Sequence, residues 1–285
     1  SGADRFFLQT ILEAQDIRNS GWNYTDPNSK LTLSFYIKSN LTGIVSLEMN
    51  SPDSPSTKVH FRSTVTINSA NTWERKTVTI TGDSQLVFDD DNGSGLSITW
   101  QYAAGPTFTS GTHVTGSWDT NAVAGNRSSS SNINIYSNTS NFVSLTGVQL
   151  EVGDIATPFE HRSFAEELAR CLRYYWKDKA TDANHVFAVG ANYTASNSYA
   201  RIEWPVPMRG TDSGITIGYS ALSDFKILGN NVTINGLNAT SLQLSNRVNQ
   251  YGGQLYFNGG GQLQYTLPIA LPPGVKSVAP QIDLV

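Results

Sequence analysis

The sequence predicts an all-β protein: a β-sandwich, a single connecting helix, and then a smaller C-terminal domain that resembles a β-sandwich. Only 15% of the 285 residues are charged, and Ser, Thr, Asn and Gly are abundant, which is typical of short strands joined by polar turns. Apolar stretches with alternating polarity recur about every eight to twelve residues. One stretch alone has convincing helical periodicity. The length and this central helix favour two domains.

The first predicted domain covers residues 1–155. Its clearest strand runs from Leu31 to Ile37, where large apolar residues alternate with Thr, Ser and Tyr, the period of a sheet with one buried face. Similar patterns predict strands in GIVSLEMN, TKVHFRSTVTI, WERKTVTITG and LSITWQYA, with Trp73 and Trp100 in the core. Residues 103–132 are rich in Gly, Ser, Thr and Asn and predict a long loop or hairpin excursion.

The linker and helix are predicted over residues 156–178. Ser163 and Glu166 form a capping-box pattern, in which the serine hydroxyl accepts from the Glu166 amide. Acidic residues follow at the start of the helix and basic residues at its end, as the helix dipole favours. Apolar residues at helical spacing predict one buried stripe, with Cys171 as a small buried residue beside it. The stripe consists of Phe164, Leu168, Leu172 and Tyr175.

The C-terminal domain is predicted over residues 179–285, where short apolar and alternating stretches again indicate strands. Pro205 and Pro207 cannot donate to a strand ladder, so we expect this stretch to lie at a sheet edge or to leave the sheet. The sequence has no repeat of fixed period, which argues against a solenoid or a propeller.

Charge and motifs exclude several function classes. Lys and Arg number 19 against 23 for Asp and Glu, a formal charge of −4, and no basic cluster indicates binding to nucleic acid. No apolar run is long enough to predict insertion in a membrane. Cys171 is the single cysteine, so neither a disulfide framework nor a cysteine-rich zinc site is expected. No nucleophile motif or phosphate-binding loop is present, and we expect no enzyme activity.

The junction between the domains carries a resemblance to a known family. It reads Q-L-E-x-G, then A-T-x-F-E-x-R, then E-L-x-x-C-x-R-Y-Y, without gaps. The matching positions are Gln149, Leu150, Glu151, Gly153, Ala156, Thr157, Phe159, Glu160, Arg162, Glu167, Leu168, Cys171, Arg173, Tyr174 and Tyr175. This pattern resembles the linker and helix of many bacteriophage tail-fibre and related virion proteins, in which a jelly-roll domain precedes the junction.

The resemblance implies a fold and a setting. It implies that residues 1–155 form a jelly-roll β-sandwich similar to carbohydrate-binding modules. It also implies a virion protein without catalytic activity, exposed as a tail fibre or receptor-binding tip and commonly assembled as a homotrimer. The expected partners are a host cell-surface glycan or other receptor, and other virion proteins.

Three successive aspartates form the candidate metal site. Asp89, Asp90 and Asp91, followed by Asn92 and Gly93, offer the hard oxygen ligands that Ca²⁺ prefers, and the related jelly rolls frequently hold a structural calcium. The segment lacks the ligand spacing of an EF-hand loop, so a solvated turn is the alternative. No cofactor is expected to be required. The four histidines lack zinc-site spacing, and His60, opposite Phe61 on a strand, is predicted at the surface.

Aromatic residues in polar segments are the candidate glycan-binding residues. Trp22 and Tyr24 flank a turn, Tyr102 runs from a strand into the long loop, and Trp118 lies in a Gly/Ser/Thr-rich segment. Exposed rings of this kind stack on the apolar faces of sugars while neighbouring polar groups supply hydrogen bonds. The alternatives are that these rings belong to the core or are buried against neighbouring subunits.

The function expected from these observations is recognition of the host surface by a phage tail fibre or its tip, through glycan binding without catalysis. A capsid decoration, head-fibre or tail-connector protein with a purely structural role is the alternative. A polysaccharide depolymerase is the third possibility, since it needs two carboxylates that converge across a sugar, and convergence is not visible in a sequence.

Overall fold

The structure is a computed structural model of the chain. It describes residues 2–54, 59–120, 123–177, 186–192, 197–210, 215–218, 226–227, 237–238, 241–244, 249, 251–258, 267–270 and 279–282. The chain divides into two compact units, residues 1–161 and residues 162–285. Both are built from antiparallel strands, which confirms the predicted all-β fold with sheets packed as sandwiches.

In its described residues, the first unit is a sandwich of eight strands with two short α-helices and two 3₁₀ turns, Ala124–Asn126 and Ile135–Ser137. Its strands are β1 (Arg5–Glu13), β2 (Lys30–Ser39), β3 (Gly43–Ser51), β4 (Val59–Ile67), β5 (Glu74–Thr81), β6 (Ser94–Ala104), β7 (Trp118–Asp119) and β8 (Val143–Val152). The short helices are α1 (Ala14–Arg18) and α2 (Pro106–Thr109). One sheet has the order β1-β6-β3-β4-β7 and the other β5-β2-β8. Two antiparallel sheets that pack over one core form a β-sandwich, as predicted.

The core lies between the two sheets and is formed by the alternate residues that the period-two pattern predicts. Leu33, Phe35 and Ile37 on β2 face Leu47 and Trp100 of the opposite sheet within one buried cluster. The ring of Phe35 meets Trp100 edge-on, with centroids 5.6 Å apart, a favoured aromatic geometry. The core position predicted for Trp100 is confirmed.

The predicted core position of Trp73 is wrong. This side chain is 45% exposed, because β5 begins one residue later at Glu74 and Trp73 belongs to the β4–β5 turn. The turn is shaped by Asn71, whose φ of 61° lies in the left-handed region that asparagine tolerates. A large apolar residue next to a strand is therefore an exposed turn residue here.

The Glu74 side chain stabilises the same turn through hydrogen bonds. Its carboxylate accepts hydrogen bonds from the backbone amides of Asn68 at 2.8 Å and Ser69 at 2.7 Å, and it pairs with Lys76. The Lys76 ammonium and the amide donors lower the pKa of Glu74 from 4.5 to about 2, against an opposing effect of burial. The ionised carboxylate is thus the form that the folded turn favours.

We expect this carboxylate to give the first unit a pH-dependent stability. Because the folded pKa is depressed, the contribution is full above pH 4.5 and is lost as the pH falls through about 2. Glu74→Gln is expected to lower the free energy of unfolding by about 1 kcal/mol at pH 7, after allowance for solvent screening, and by almost nothing at pH 2. Urea unfolding of both proteins at the two pH values, followed by tryptophan fluorescence, measures this. An equal difference at both pH values would contradict it.

The junction motif has a structural explanation at the end of the first unit. Gln149 and Glu151 lie on β8 and hold the segment that follows. The Glu160 amide donates to Gln149 Oε1 at 2.8 Å, and the Thr157 amide and hydroxyl both donate to the Glu151 carboxylate. Partial burial raises the pKa of Glu151, but hydrogen bonds from Thr157 and Gln149 outweigh it, so the pKa is lowered. The motif residues therefore fold the linker back onto the strand.

The second unit begins with α3 (Phe164–Leu172). Ser163 caps it as predicted, since its hydroxyl accepts from the Glu166 amide at 3.3 Å. The Glu166 carboxylate does not complete the capping box and instead accepts from Arg170, one turn along the helix, at 3.0 Å. The predicted helix start is confirmed. The second hydrogen bond of a capping box, from the Ser163 amide to the Glu166 carboxylate, is replaced by the surface ion pair with Arg170.

The prediction that the apolar stripe of α3 is buried is wrong, since Leu172 is half-buried and the rest of the stripe is exposed. Phe164 is 82% exposed, and Leu168, Cys171 and Tyr175 also face solvent in the part of the chain that the structure describes. Helical periodicity shows that a face is apolar, but it does not show what covers that face. Among the described residues, no helix combines the length and apolarity that crossing a membrane requires.

The described strands of the second unit form a seven-stranded and a two-stranded sheet, with the orders β13-β12-β16-β9-β10-β15-β14 and β11-β17. They are β9 (Val186–Asn192), β10 (Asn197–Glu203), β11 (Ile215–Gly218), β12 (Lys226–Ile227), β13 (Leu237–Asn238), β14 (Ser241–Leu244), β15 (Gly252–Asn258), β16 (Leu267–Ala270) and β17 (Ala279–Ile282). The chain leaves the sheet at Trp204, directly before Pro205, as Pro205 and Pro207 predict.

Candidate functional site

Trp118, the leading candidate for glycan stacking, is buried. It is 6% exposed and lies on the two-residue strand β7, which pairs with β4 so that Trp118 is opposite Phe61. The two ring centroids are 5.5 Å apart, and Trp118 Nε1 donates to the Thr81 carbonyl at 2.6 Å. The expectation that this ring is exposed is wrong. The polar residues around Trp118 indicate a loop, but Trp118 and Asp119 form a short strand that extends the sheet.

The other three candidate rings also lie in or against the core. Trp22 and Tyr102 are buried, and Tyr24 is half-buried with its ring edge-on to Phe88 at 5.0 Å. Trp22, Tyr24 and Phe88 form one aromatic cluster under a loop, while Tyr102 lies elsewhere, behind Phe6. The structure thus brings Trp22 and Tyr24 together, but as packing residues rather than as a sugar platform.

The carboxylates of the three aspartates do not converge on one point at which a metal could bind. Within Asp89–Asp91, the Asp91 carboxylate accepts from the Gly93 amide at 2.8 Å and closes the turn. Asp53 approaches the same turn and accepts from the Asp89 amide at 3.2 Å. Burial raises the pKa of Asp53. The hydrogen bond from the Asp89 amide opposes this, while the charges of Asp89 and Asp91 add smaller upward shifts. No group of three His, Cys, Asp or Glu side chains in the described residues is placed to hold a metal ion, and the calcium site stays a prediction.

An aromatic groove on the first unit is the stronger candidate for ligand binding. It has a volume of about 250 Å³. Phe6 is 44% exposed and Tyr136 is 60% exposed, and their rings meet edge-on with centroids 5.8 Å apart. The lining combines these rings with amide and hydroxyl side chains. It consists of Phe6, Ile135, Tyr136, Asn138, Thr139 and Asn141.

Both rings are held from behind. A β-bulge separates Phe6 from Phe7 on β1, and the Phe6 ring packs 6.3 Å from the buried ring of Tyr102. Tyr136 lies in a 3₁₀ turn, where Asn134 caps the turn by accepting from the Tyr136 amide at 3.0 Å. A short turn and a bulged strand therefore present two aromatic faces side by side.

The loop beyond Tyr136 is fixed by its own amides. Asn141 Nδ2 donates to the Ile135 carbonyl at 3.2 Å and to Ser137 Oγ at 2.9 Å. Asn40 donates to Asn141 Oδ1 at 3.0 Å, which ties the loop to the sandwich. Because these bonds order the loop before any ligand arrives, binding loses little entropy there. Rings beside fixed amides suit a ligand with one apolar face and several hydroxyl groups.

A second, polar pocket lies on the face of the five-stranded sheet that points away from the core. Its volume is about 130 Å³. Residues 105–120 and 123–132 cover this face. The Ser129 amide donates to Ser46 Oγ at 3.0 Å, and the Gly116 amide donates to the Arg62 carbonyl of β4 at 2.9 Å. The lining residues come from four strands and from that cover. They are Arg5, Phe7, Gln9, Glu48, Asn50, His60, Thr99 and Arg127.

Charged side chains fill the floor of this polar pocket. Glu48 Oε1 lies 3.0 Å from His60 Nδ1 and 3.6 Å from Arg62 Nε, and Arg62 also donates to Asp119 at 2.7 Å. His60 is 2% exposed, which corrects the predicted surface position. The period-two pattern places His60 opposite Phe61 correctly, but the covering segment, and not solvent, occupies that side of the sheet.

Sequence reasoning missed both rings of the groove. One signal was present: Phe6 and Phe7 are consecutive in a strand, so a regular strand cannot turn both towards one core. Tyr136 carries no comparable signal, because it follows Ile135 in a stretch that otherwise consists mainly of Asn and Ser residues.

Comparison with known proteins assigns no family. No protein-family model matches the sequence, and a search of the curated proteins finds no match. An assignment of function therefore depends on the geometry of the aromatic groove and the polar pocket, together with the junction pattern.

Proposed function

We propose that this chain is a bacteriophage virion protein, a tail fibre or its tip, that recognises a host-surface glycan without catalysis through the aromatic groove. The observation that carries the proposal is the pair of exposed rings, Phe6 and Tyr136, fixed edge-on at 5.8 Å beside amide and hydroxyl side chains. Neither ring belongs to the buried core cluster, which includes Tyr102 behind Phe6.

The chemistry of the groove favours a sugar over a purely apolar ligand. A sugar ring has an apolar C–H face that stacks on an aromatic ring and an equatorial rim of hydroxyl groups that bonds with amides. Asn138 and Thr139 flank the two rings and supply such polar groups. The volume of about 250 Å³ is below the roughly 300–1,000 Å³ of sites for drug-sized molecules, which suits one sugar residue of a longer chain.

The virion setting is supported by the junction pattern and by α3. The junction residues resemble those of phage fibre proteins, which implies a homotrimer in the virion. The exposed stripe with Phe164, Leu168 and Tyr175 is the kind of apolar surface that subunit contacts cover. The same stripe favours the alternative, a capsid decoration, head-fibre or tail-connector protein whose surfaces serve assembly alone.

The test is a pair of ring truncations. The wild-type protein is first screened against a glycan array and a panel of bacterial cells. Phe6→Ala and Tyr136→Ala are then each expected to weaken binding by at least about 10-fold, because central aromatic contacts contribute more than about 1.4 kcal/mol. Trp73→Ala is the matched control, since it removes an exposed ring of the same unit outside the groove.

The possible outcomes separate the two functions. Light scattering gives the mass of each variant in solution. Weaker glycan binding at unchanged mass supports recognition through the groove. A wild-type protein that binds no glycan and no cell, or variants that bind as well as wild type, would contradict it. If the truncations change the mass instead, the rings serve assembly and the structural alternative gains.

A further inference from the structure

We propose that the polar pocket is a second binding site, and that it takes an oxyanion, either the carboxylate of an acidic sugar or a free sulfate or phosphate, between Arg5 and Arg127. The proposal does not depend on the aromatic groove, because none of the six groove residues lines the polar pocket.

The two arginines have donors to offer. The Arg5 guanidinium carbon lies 4.2 Å from the centre of the Phe7 ring and 4.9 Å from that of Phe108. Stacking on ring faces leaves the N–H groups in the guanidinium plane directed outward from its edges. Arg127 Nε is buried and has no hydrogen-bond partner among the described residues. Both side chains line the pocket, so their donors are suited to a planar or tetrahedral oxyanion.

The charge balance of the pocket favours an anion. Glu48 is engaged by Arg62 and His60, and Arg62 is shared with Asp119. Three arginines against two carboxylates leave one positive charge in excess, before any charge on His60. Burial lowers the pKa of Arg5, and the neighbouring Arg127 lowers it further, with Glu48 acting in the opposite direction. An anion between the two guanidinium groups would relieve their repulsion.

Buried polar atoms on the floor also lack partners. His60 is 2% exposed, and its Nε2 makes no hydrogen bond to the described residues. Glu48 Oε1 is an acceptor and cannot bond an oxyanion, so it is left to its neighbours His60 and Arg62. Buried polar atoms are normally satisfied by protein, water or a bound group. About 130 Å³ holds several waters or one oxyanion group, and is too small for a whole drug-sized ligand.

Calorimetric titration of the full chain at constant ionic strength tests the proposal. The probes are sulfate, glucuronate and glucose, the last two being sugars that differ by one carboxylate. We expect sulfate and glucuronate to bind and glucose not to bind. Arg127→Met is expected to weaken both anions by at least 10-fold, because it removes a charged fork of donors. Lys38→Met, on β2 of the opposite sheet, removes the same charge elsewhere and should leave both affinities unchanged.

Each outcome decides a part of the proposal. Sulfate without glucuronate identifies an inorganic oxyanion, and glucuronate without sulfate identifies an acidic sugar; both support the site. Binding of neither anion, or equal binding by wild type and Arg127→Met, would overturn it and leave the pocket to water. If Arg127→Met does not fold, Arg127→Lys keeps the charge without the fork and should still weaken binding several-fold. Tyr136→Ala should retain the anion affinity, so failure of the groove and failure of the pocket are distinguishable.

Discussion

Trp118→Ala is expected to lower the free energy of unfolding of the first unit by about 3–5 kcal/mol, the usual loss for truncation of a buried tryptophan. The ring is 6% exposed and packs against Phe61 at 5.5 Å. Its Nε1 donates to the Thr81 carbonyl at 2.6 Å, so truncation also removes the partner of that acceptor. Urea unfolding followed by near-ultraviolet circular dichroism measures the change.

Two variants calibrate this prediction. Trp73→Ala removes a tryptophan that is 45% exposed in the same unit and is expected to change the unfolding free energy by no more than about 0.5 kcal/mol. Trp118→Phe keeps most of the buried ring but loses the donor to Thr81, and should give an intermediate loss of about 1–2 kcal/mol. Trp118→Ala that keeps wild-type stability but loses glycan binding would show that the ring is a ligand contact.

The strands of the first sandwich were predictable because the sheet faces that meet the core are apolar and the opposite faces are polar, which imposes a period of two on the sequence. Leu31–Ile37 and Trp100 obey that period, and a slip of one residue would turn the whole set outward, so the pattern is strongly specified. Trp118 was not predictable in the same way. Two residues are too few to show a period, and β7 is formed only because β4 offers a free edge to a distant loop.

The candidate sites depend on convergence of distant segments. Phe6 and Tyr136 lie 130 positions apart and meet only because the loop after β7 returns to the first strand. His60 shows the same limit, since its side of the sheet follows from alternation but its burial follows from the covering residues 105–120 and 123–132. In α3, the cap at Ser163 is a contact between near neighbours and was predictable. What covers the apolar stripe depends on contacts beyond the helix, so the helix sequence does not predict it.

Arg62→Met is expected to destabilise the first unit by about 3–5 kcal/mol, although methionine is similar in length and more apolar. Arg62 is fully buried, and its guanidinium lies 3.6 Å from Glu48 and 2.7 Å from Asp119. Removing it leaves Glu48 buried beside His60 without its permanent cation. An uncompensated buried charge, rather than lost packing, is the expected source of the loss.

The comparison that isolates this charge effect uses an exposed ion pair of the same unit. Lys30 lies 3.6 Å from Asp154 at the surface, so Lys30→Met is expected to cost no more than about 0.5 kcal/mol by the same urea unfolding. Adding Glu48→Gln to Arg62→Met should recover part of the stability, because the buried carboxylate is then neutral. Equal small effects of Arg62→Met and Lys30→Met would contradict a buried charge network.

The single Arg62→Met variant also leaves Glu48 to oppose an oxyanion in the polar pocket, and should weaken sulfate binding even where the protein stays folded.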